Sequence, residues 1–155
     1  MSSELLNHLA EKYNSDKGKV FKGNRSPNHY MELYYEYFER QNLNRNNVLS
    51  VLEIGTNTGA SLRVWAEYFT SAKINGIDIT RQYEIASNLD HPRIYTHIID
   101  QGDRNKLFNY AISEEFLVNP DGFDIIIDDG SHEQTDQLIS LGVLFKFLKH
   151  NGLYI

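Results

Sequence analysis

Two adjacent carboxylates and a histidine stand together at Asp128-Asp129-Gly130-Ser131-His132, directly after the apolar run Phe123–Ile127. Oxygen ligands of this kind suit a hard divalent cation. A histidine three residues after Asp129 can serve as a general base near neutral pH. The plainer use of these residues is a helix cap beside a solvated His, but capping needs only one of the side chains. A second group is Glu53-Ile54-Gly55-Thr56-Asn57-Thr58-Gly59. Gly55 and Gly59 allow a sharp turn and close approach of a ligand. The free N–H groups of a following helix would face that ligand. Asn57 stands where the dinucleotide fingerprint has its second glycine, which weakens a nicotinamide-dinucleotide reading. Glu53 would repel a pyrophosphate and suits a ligand with positive charge or free hydroxyls. A tight turn with structural glycines explains this stretch equally well when it is taken alone. Asp78, in Gly76-Ile77-Asp78-Ile79, adds weight. An acid ending the second strand of a Rossmann-like unit accepts hydrogen bonds from ribose hydroxyls, though Asp is also a common turn former. After the third strand, Asp100 and Gln101 offer polar contacts to an adenine edge, and Asp103 doubles as a helix N-cap.

The elements that must position these groups follow from hydrophobic spacing. Val48–Ile54, Lys73–Ile79, Arg93–Ile99 and Phe123–Ile127 read as strands, and Leu153–Ile155 begins a fifth. Between them, Ser61–Phe69, Asp103–Leu117 and Glu133–Lys149 read as helices. Their expected apolar faces are Leu62, Trp65, Ala66 and Phe69, then Leu107, Phe108, Ala111, Ile112 and Phe116, then Leu138, Leu141, Leu144, Phe145 and Leu148. Strands alternating with helices predict an α/β, Rossmann-like parallel sheet with helices on both faces. Two further helices, Ser2–Tyr13 and Asn28–Arg40, precede it. The polar stretch Gln41–Asn47 marks a boundary, so residues 1–47 form an N-terminal helical segment and 48–155 the core.

The composition removes several functional classes. The chain has 155 residues, room for one core, and a net charge of −6. General nucleic-acid binding needs clustered Lys and Arg and is disfavoured. With no cysteine there is no disulfide scaffold, thiolate metal site or cysteine nucleophile. The sequence Met1–Gly18 has no apolar secretory region, and no run approaches the roughly 20 apolar residues of a membrane span. The expectation is a cytoplasmic chain without nucleic-acid or membrane partners.

Four stretches carry a resemblance to a known family: Ser15-Asp16-Lys17-Gly18 with His29-Tyr30, Val51–Trp65, Ile74–Ile79 and Phe123–His132. From about Asn14 onward the chain resembles class I S-adenosylmethionine (SAM)-dependent methyltransferases. More narrowly, it resembles the metal-dependent sugar O-methyltransferases of the macrocin and mycinamicin type. The resemblance implies SAM bound by Glu53, Gly55, Asn57, Gly59, Asp78, Asp100, Gln101 and Asp103, with the Lys17 loop folded over its methionine end. It implies Asp129, helped by Asp128, as Mg²⁺ ligand and His132 as catalytic base. The acceptor would be a sugar or other small molecule, with a catechol-type acceptor or a non-catalytic SAM-binding module as alternatives. In that family seven strands are usual, and an acidic pair after the fifth completes the metal site. This chain ends at Ile155, so the expectation is a C-terminally incomplete sheet that binds cofactor without turnover. An unpaired fifth strand would also favour self-association into homo-oligomers.

Overall fold

The computed structural model describes residues 3–24, 26–80, 91–113 and 121–155. Two helices, α1 (Ser3–Lys12) and α2 (Tyr30–Arg40), lead into a repeating pattern of strand and helix. It comprises β1 (Ser50–Ile54), α3 (Ala60–Tyr68), β2 (Lys73–Asp78), β3 (Ile94–Ile98), α4 (Arg104–Ala111), β4 (Phe123–Asp128) and α5 (Gln134–Leu144). A 3₁₀ turn, Phe145–Phe147, then leads directly into β5 (Leu148–Tyr154). The five strands lie in the order β3-β2-β1-β4-β5, with every pairing parallel. The Rossmann-like expectation is met. Strands β1 and β4 are buried almost throughout because both faces of the sheet are covered.

Alternation along the strands divides the core in two. Val51, Ile74, Ile125 and Ile127 pack with α1, α2 and α3 around Trp65, Phe38 and Phe69. Leu52, Ile54, Ile77 and Ile126 pack on the other face with Leu107 of α4 and Val143 and Leu144 of α5. Register then aligns the strand ends. Ile54 pairs with Ile77 on one side and with Asp128 on the other, and Asp78 pairs with Ile98. The chain steps outward from β1 to β3, then returns to β1's other side with β4. The carboxyl edge between β1 and β4 is therefore a topological switch point, where open α/β sheets bind ligands. Among the described residues no helix is long and apolar enough to cross a membrane.

Three expectations require correction. The last helix stops at Leu144 rather than Lys149, and β5 begins at Leu148 rather than Leu153. Leu148 pairs with Phe123, the register shifts, and Leu153 pairs with Ile125. Edge pairing with β4 thus claims residues whose spacing also fits a helix. The apolar face of this helix differs accordingly. Leu144 is buried with Ser140 and Val143, whereas Leu138, Leu141 and Phe145 are exposed. The helix after Asp103 runs to Ala111, with Phe108 and Ile112 partly open; Phe116 and the rest of that expected helix lie outside the described residues. Leu144→Ala should therefore cost about 2–5 kcal/mol of stability. Leu138→Ala should change it by less than about 0.5 kcal/mol. Urea unfolding of the two variants measures the difference.

Candidate functional site

A cleft of about 710 Å³ opens at the carboxyl edge of the sheet. That volume suits a cofactor-sized ligand. Its walls include Lys17, Gly55, Asn57, Asp78, Asp100, Gln101, Asp129 and His132, eight of the residues singled out by sequence. Glu53, Gly59, Asp103 and Asp128 do not reach the wall, and each has another visible task.

The turn after β1 is built by close backbone approach. Gly55 has φ +81°, and a β-carbon there would collide with the Asp129 carbonyl and the Gly130 backbone. Its N–H donates to the Ile77 carbonyl (2.8 Å), while Asp129 N–H donates to that of Ile54 (3.0 Å). Turn and β4 loop are thus sewn to the strand ends. Asn57 also lies in the left-handed region, and its N–H donates to Asp78 Oδ2 (2.9 Å). The other Asp78 oxygen accepts from the Thr80 N–H and hydroxyl. The acid and the turn are therefore one unit rather than two separate signals. Gly59, φ +74°, precedes the first residue of α3. The buried Thr56 hydroxyl on this turn has no partner among the described residues, an orphan polar atom at the cleft wall.

Glu53 is fully buried below the turn. It accepts from Ser61 Oγ (2.8 Å) and Trp65 Nε1 (2.9 Å), and Lys17 Nζ lies 3.4 Å from Oε1. Burial raises its pKa above the ordinary carboxylate range, with Lys17 and the two donors pulling the other way. Lys17 is itself buried, which opposes its charge, but the carboxylates of Glu53 and Asp129 outweigh this and hold its pKa above the usual lysine value. Its ammonium donates to Asp129 Oδ2.

The two adjacent acids have separate surroundings. Asp128 accepts from Ser140 Oγ, Tyr154 OH (3.0 Å) and Gln101 Nε2 (3.2 Å), so it joins β4 to α5 and β5. Gln101 uses its other amide atom to accept from Ser131 N–H (2.7 Å). Asp129 faces the cleft, with Oδ1 3.8 Å from His132 Nε2. That is ion-pair reach but longer than a hydrogen bond. His132 sits at φ +60° with 69% of its side chain exposed. Such a backbone costs energy in a non-glycine residue and clusters at functional sites. Asp103 caps α4 by accepting from Lys106 N–H (3.0 Å). Asp100 accepts from Gly102 N–H (2.8 Å) while still lining the cleft.

The cleft also includes Ser15, Asp16 and Tyr30, which the sequence reading placed in motifs without a site role of their own, and Phe21, Ile79, Ile99 and Asp136, to which it assigned none. With Asp16, Asp78, Asp100, Asp129 and Asp136 on the wall, the cleft is strongly acidic and favours cationic over phosphorylated ligands. A SAM-sized cation with ribose hydroxyls fits this donor and acceptor set. A divalent ion fits less fully. Among the described residues no group of three or more His, Asp or Glu side chains could hold a metal, and Asp129 Oδ1 is the carboxylate oxygen left facing His132. Gly55→Ala should destabilise the chain by about 2 kcal/mol or more, combining left-handed strain with the clash against Asp129. Thermal and urea unfolding test this.

No family model matches the chain. Among curated proteins it is 30% identical over 154 residues to an 8-demethyl-8-alpha-L-rhamnosyl tetracenomycin-C 2'-O-methyltransferase of Streptomyces olivaceus, covering 95% of this chain and 35% of that one. It is 34% identical over 134 residues to the demethylmacrocin O-methyltransferase of Streptomyces fradiae, covering 82% and 30%. Among solved structures, the MycE methyltransferase of the mycinamycin pathway, in complex with Mg, SAH and mycinamycin VI, superposes with a TM-score of 0.74 at 29% identity. That match covers 96% of this chain and 37% of the other. The chain spans about a third of the length of the curated relatives it matches. By sequence and by fold, the chain is similar to the macrocin- and mycinamicin-type sugar O-methyltransferases over about a third of their length, and it carries the α/β Rossmann-like methyltransferase fold.

Proposed function

We propose that the cleft binds S-adenosylmethionine and that the protein transfers its methyl group to a hydroxyl of a sugar. The carrying observation is one cleft that joins Asp78, tied to the Gly55–Gly59 turn, with Asp129 beside His132. The homologues named above are O-methyltransferases of sugar-bearing compounds, which supports the same class of acceptor here. Asp78 would accept from the ribose hydroxyls through its remaining lone pair. Ile79 and Ile99 offer apolar walls to the adenine, and Asp100 a polar edge. The acidic wall favours the positive charge of the sulfonium.

When bound, SAM supplies an electrophilic methyl carbon on sulfur. The acceptor oxygen forms its bond to that carbon as the carbon–sulfur pair returns to sulfur, giving a methyl ether and S-adenosylhomocysteine (SAH). The hydroxyl proton passes to the imidazole of His132, and the Asp129 carboxylate stabilises the imidazolium that results. Most of the acceleration comes from holding the acceptor in line and from this fixed charge. A magnesium ion, as in the MycE complex, would take Asp129 as its ligand from this chain and would supply further polarisation of the acceptor oxygen. Asp128 would act through the framework it holds together.

Calorimetry should show SAH binding and no heat with NAD. Asp78→Ala should weaken SAH by about tenfold to a hundredfold, the loss of a charge-assisted hydrogen bond. Unchanged affinity would remove the ribose assignment. In the full-length protein, His132→Ala should lower methyl transfer to a sugar acceptor by roughly 10²–10⁴-fold while leaving SAH affinity intact. A rate equal to that of the unsubstituted enzyme would exclude His132 as the base.

A further inference from the structure

Lys17 is a long, flexible side chain held where lysines are rarely found. Its side chain is 4% exposed, so it has surrendered both hydration and rotamer freedom. The backbone fixes it from both sides. Ser15 N–H donates to the Ala10 carbonyl (2.8 Å), joining the loop to the end of α1. The Lys17 carbonyl accepts from Tyr30 N–H (2.8 Å) and Met31 N–H (3.2 Å), the first amides of α2. Gly18 lies against Ala10, where an added β-carbon would collide with the alanine side chain. The loop has little room to withdraw the ammonium.

At the far end the ammonium meets two unequal acids. Glu53 has donors of its own in Ser61 and Trp65, so its orientation does not depend on Lys17. Asp129 differs. Among the described residues, Lys17 is the side-chain donor within hydrogen-bond distance of its carboxylate. That bond occupies Oδ2 and leaves Oδ1 toward His132. The order Lys17, Asp129, His132 matches a base oriented by a second group that is itself held by a third.

We propose that Lys17 is a positioning residue: its buried ammonium fixes the Asp129 carboxylate so that the second oxygen faces His132. This rests on the roles of Asp129 and His132 proposed above. It also gives the N-terminal segment a part in the proton-transfer site.

The test separates charge balance from positioning. Lys17→Met alone strands Glu53 and should lower the melting temperature. Combining it with Glu53→Gln removes the stranded charge and should restore melting close to that of the native chain. In this paired variant the His132 ring signals, followed by NMR, should still move as they do in Asp129→Asn, while Lys17→Arg should leave them near native. SAH affinity of the paired variant should fall by less than about tenfold, because the ammonium is spent on the Asp129 and Glu53 carboxylates. Native His132 signals in the paired variant would overturn the proposal. So would an Asp129→Asn variant that leaves them unmoved. A tenfold loss of SAH affinity with His132 unmoved would assign Lys17 to the cofactor instead. Should the methionine pair not fold, Lys17→Gln, which keeps a donor in the pocket, is read by the same signals. Failure of the native chain to bind SAH would count against the proposed function and leave the His132 measurement standing.

Discussion

A carboxylate with no surface open to water sits one residue before the end of the central strand. Burying Glu53 is costly unless its oxygens are met by donors and its charge by a cation. The answer organises the molecule. Ser61 and Trp65 reach it from successive turns of α3, which fixes that helix over β1. Lys17 reaches it from the loop between α1 and α2. Trp65 packs edge-on to Tyr34 and Phe38 of α2, so the donor that satisfies Glu53 also anchors the aromatic core of the N-terminal helices. One acid thereby couples β1, α3 and the remote loop between α1 and α2 directly under the cleft.

The second constraint is proximity of backbones. Gly55 and the Asp129–Gly130 peptide approach so closely that a single β-carbon would part them. This contact sets the floor of the cleft. It also explains the different fates of two neighbouring acids. Asp128 ends β4 and points to the side of the sheet that holds α5, where Ser140, Tyr154 and Gln101 engage it. Asp129, one residue further along an alternating strand, emerges on the other side and meets Lys17. Sheet alternation thus converts a sequence pair into one framework acid and one site acid.

This is where reading the sequence succeeds and where it stops. The order of strands and helices was legible because Val48–Ile54 and Phe123–Ile127 are short, mostly apolar runs rich in Val, Leu and Ile, alternating with stretches of helical spacing. Asp78 and the Gly55–Gly59 turn were legible as a pair, and the structure joins them through a single hydrogen bond. The start of β5 was not legible. Leu144, Phe145 and Leu148 fit a helical stripe, and only pairing with Phe123 decides for the strand. Nor could spacing separate Asp128 from Asp129, or show that Gln101 spends both amide atoms within the protein, since those outcomes depend on Ser131, Ser140 and Tyr154 arriving from elsewhere.

The distribution of charge follows from the same logic. Acids at the wall that only hold loops, such as Asp100 and Asp136, can be met by amides and hydroxyls and still leave lone pairs toward the cleft. An acid that must present one chosen oxygen needs a donor that is itself immobile. A solvated lysine cannot provide that, because its rotamers average over the surface. A lysine whose carbonyl anchors one helix, whose glycine neighbour is pressed against another and whose stem is buried can. The N-terminal segment is therefore more than a cover: it supplies the fixed cation against which the acids of the sheet edge are aligned.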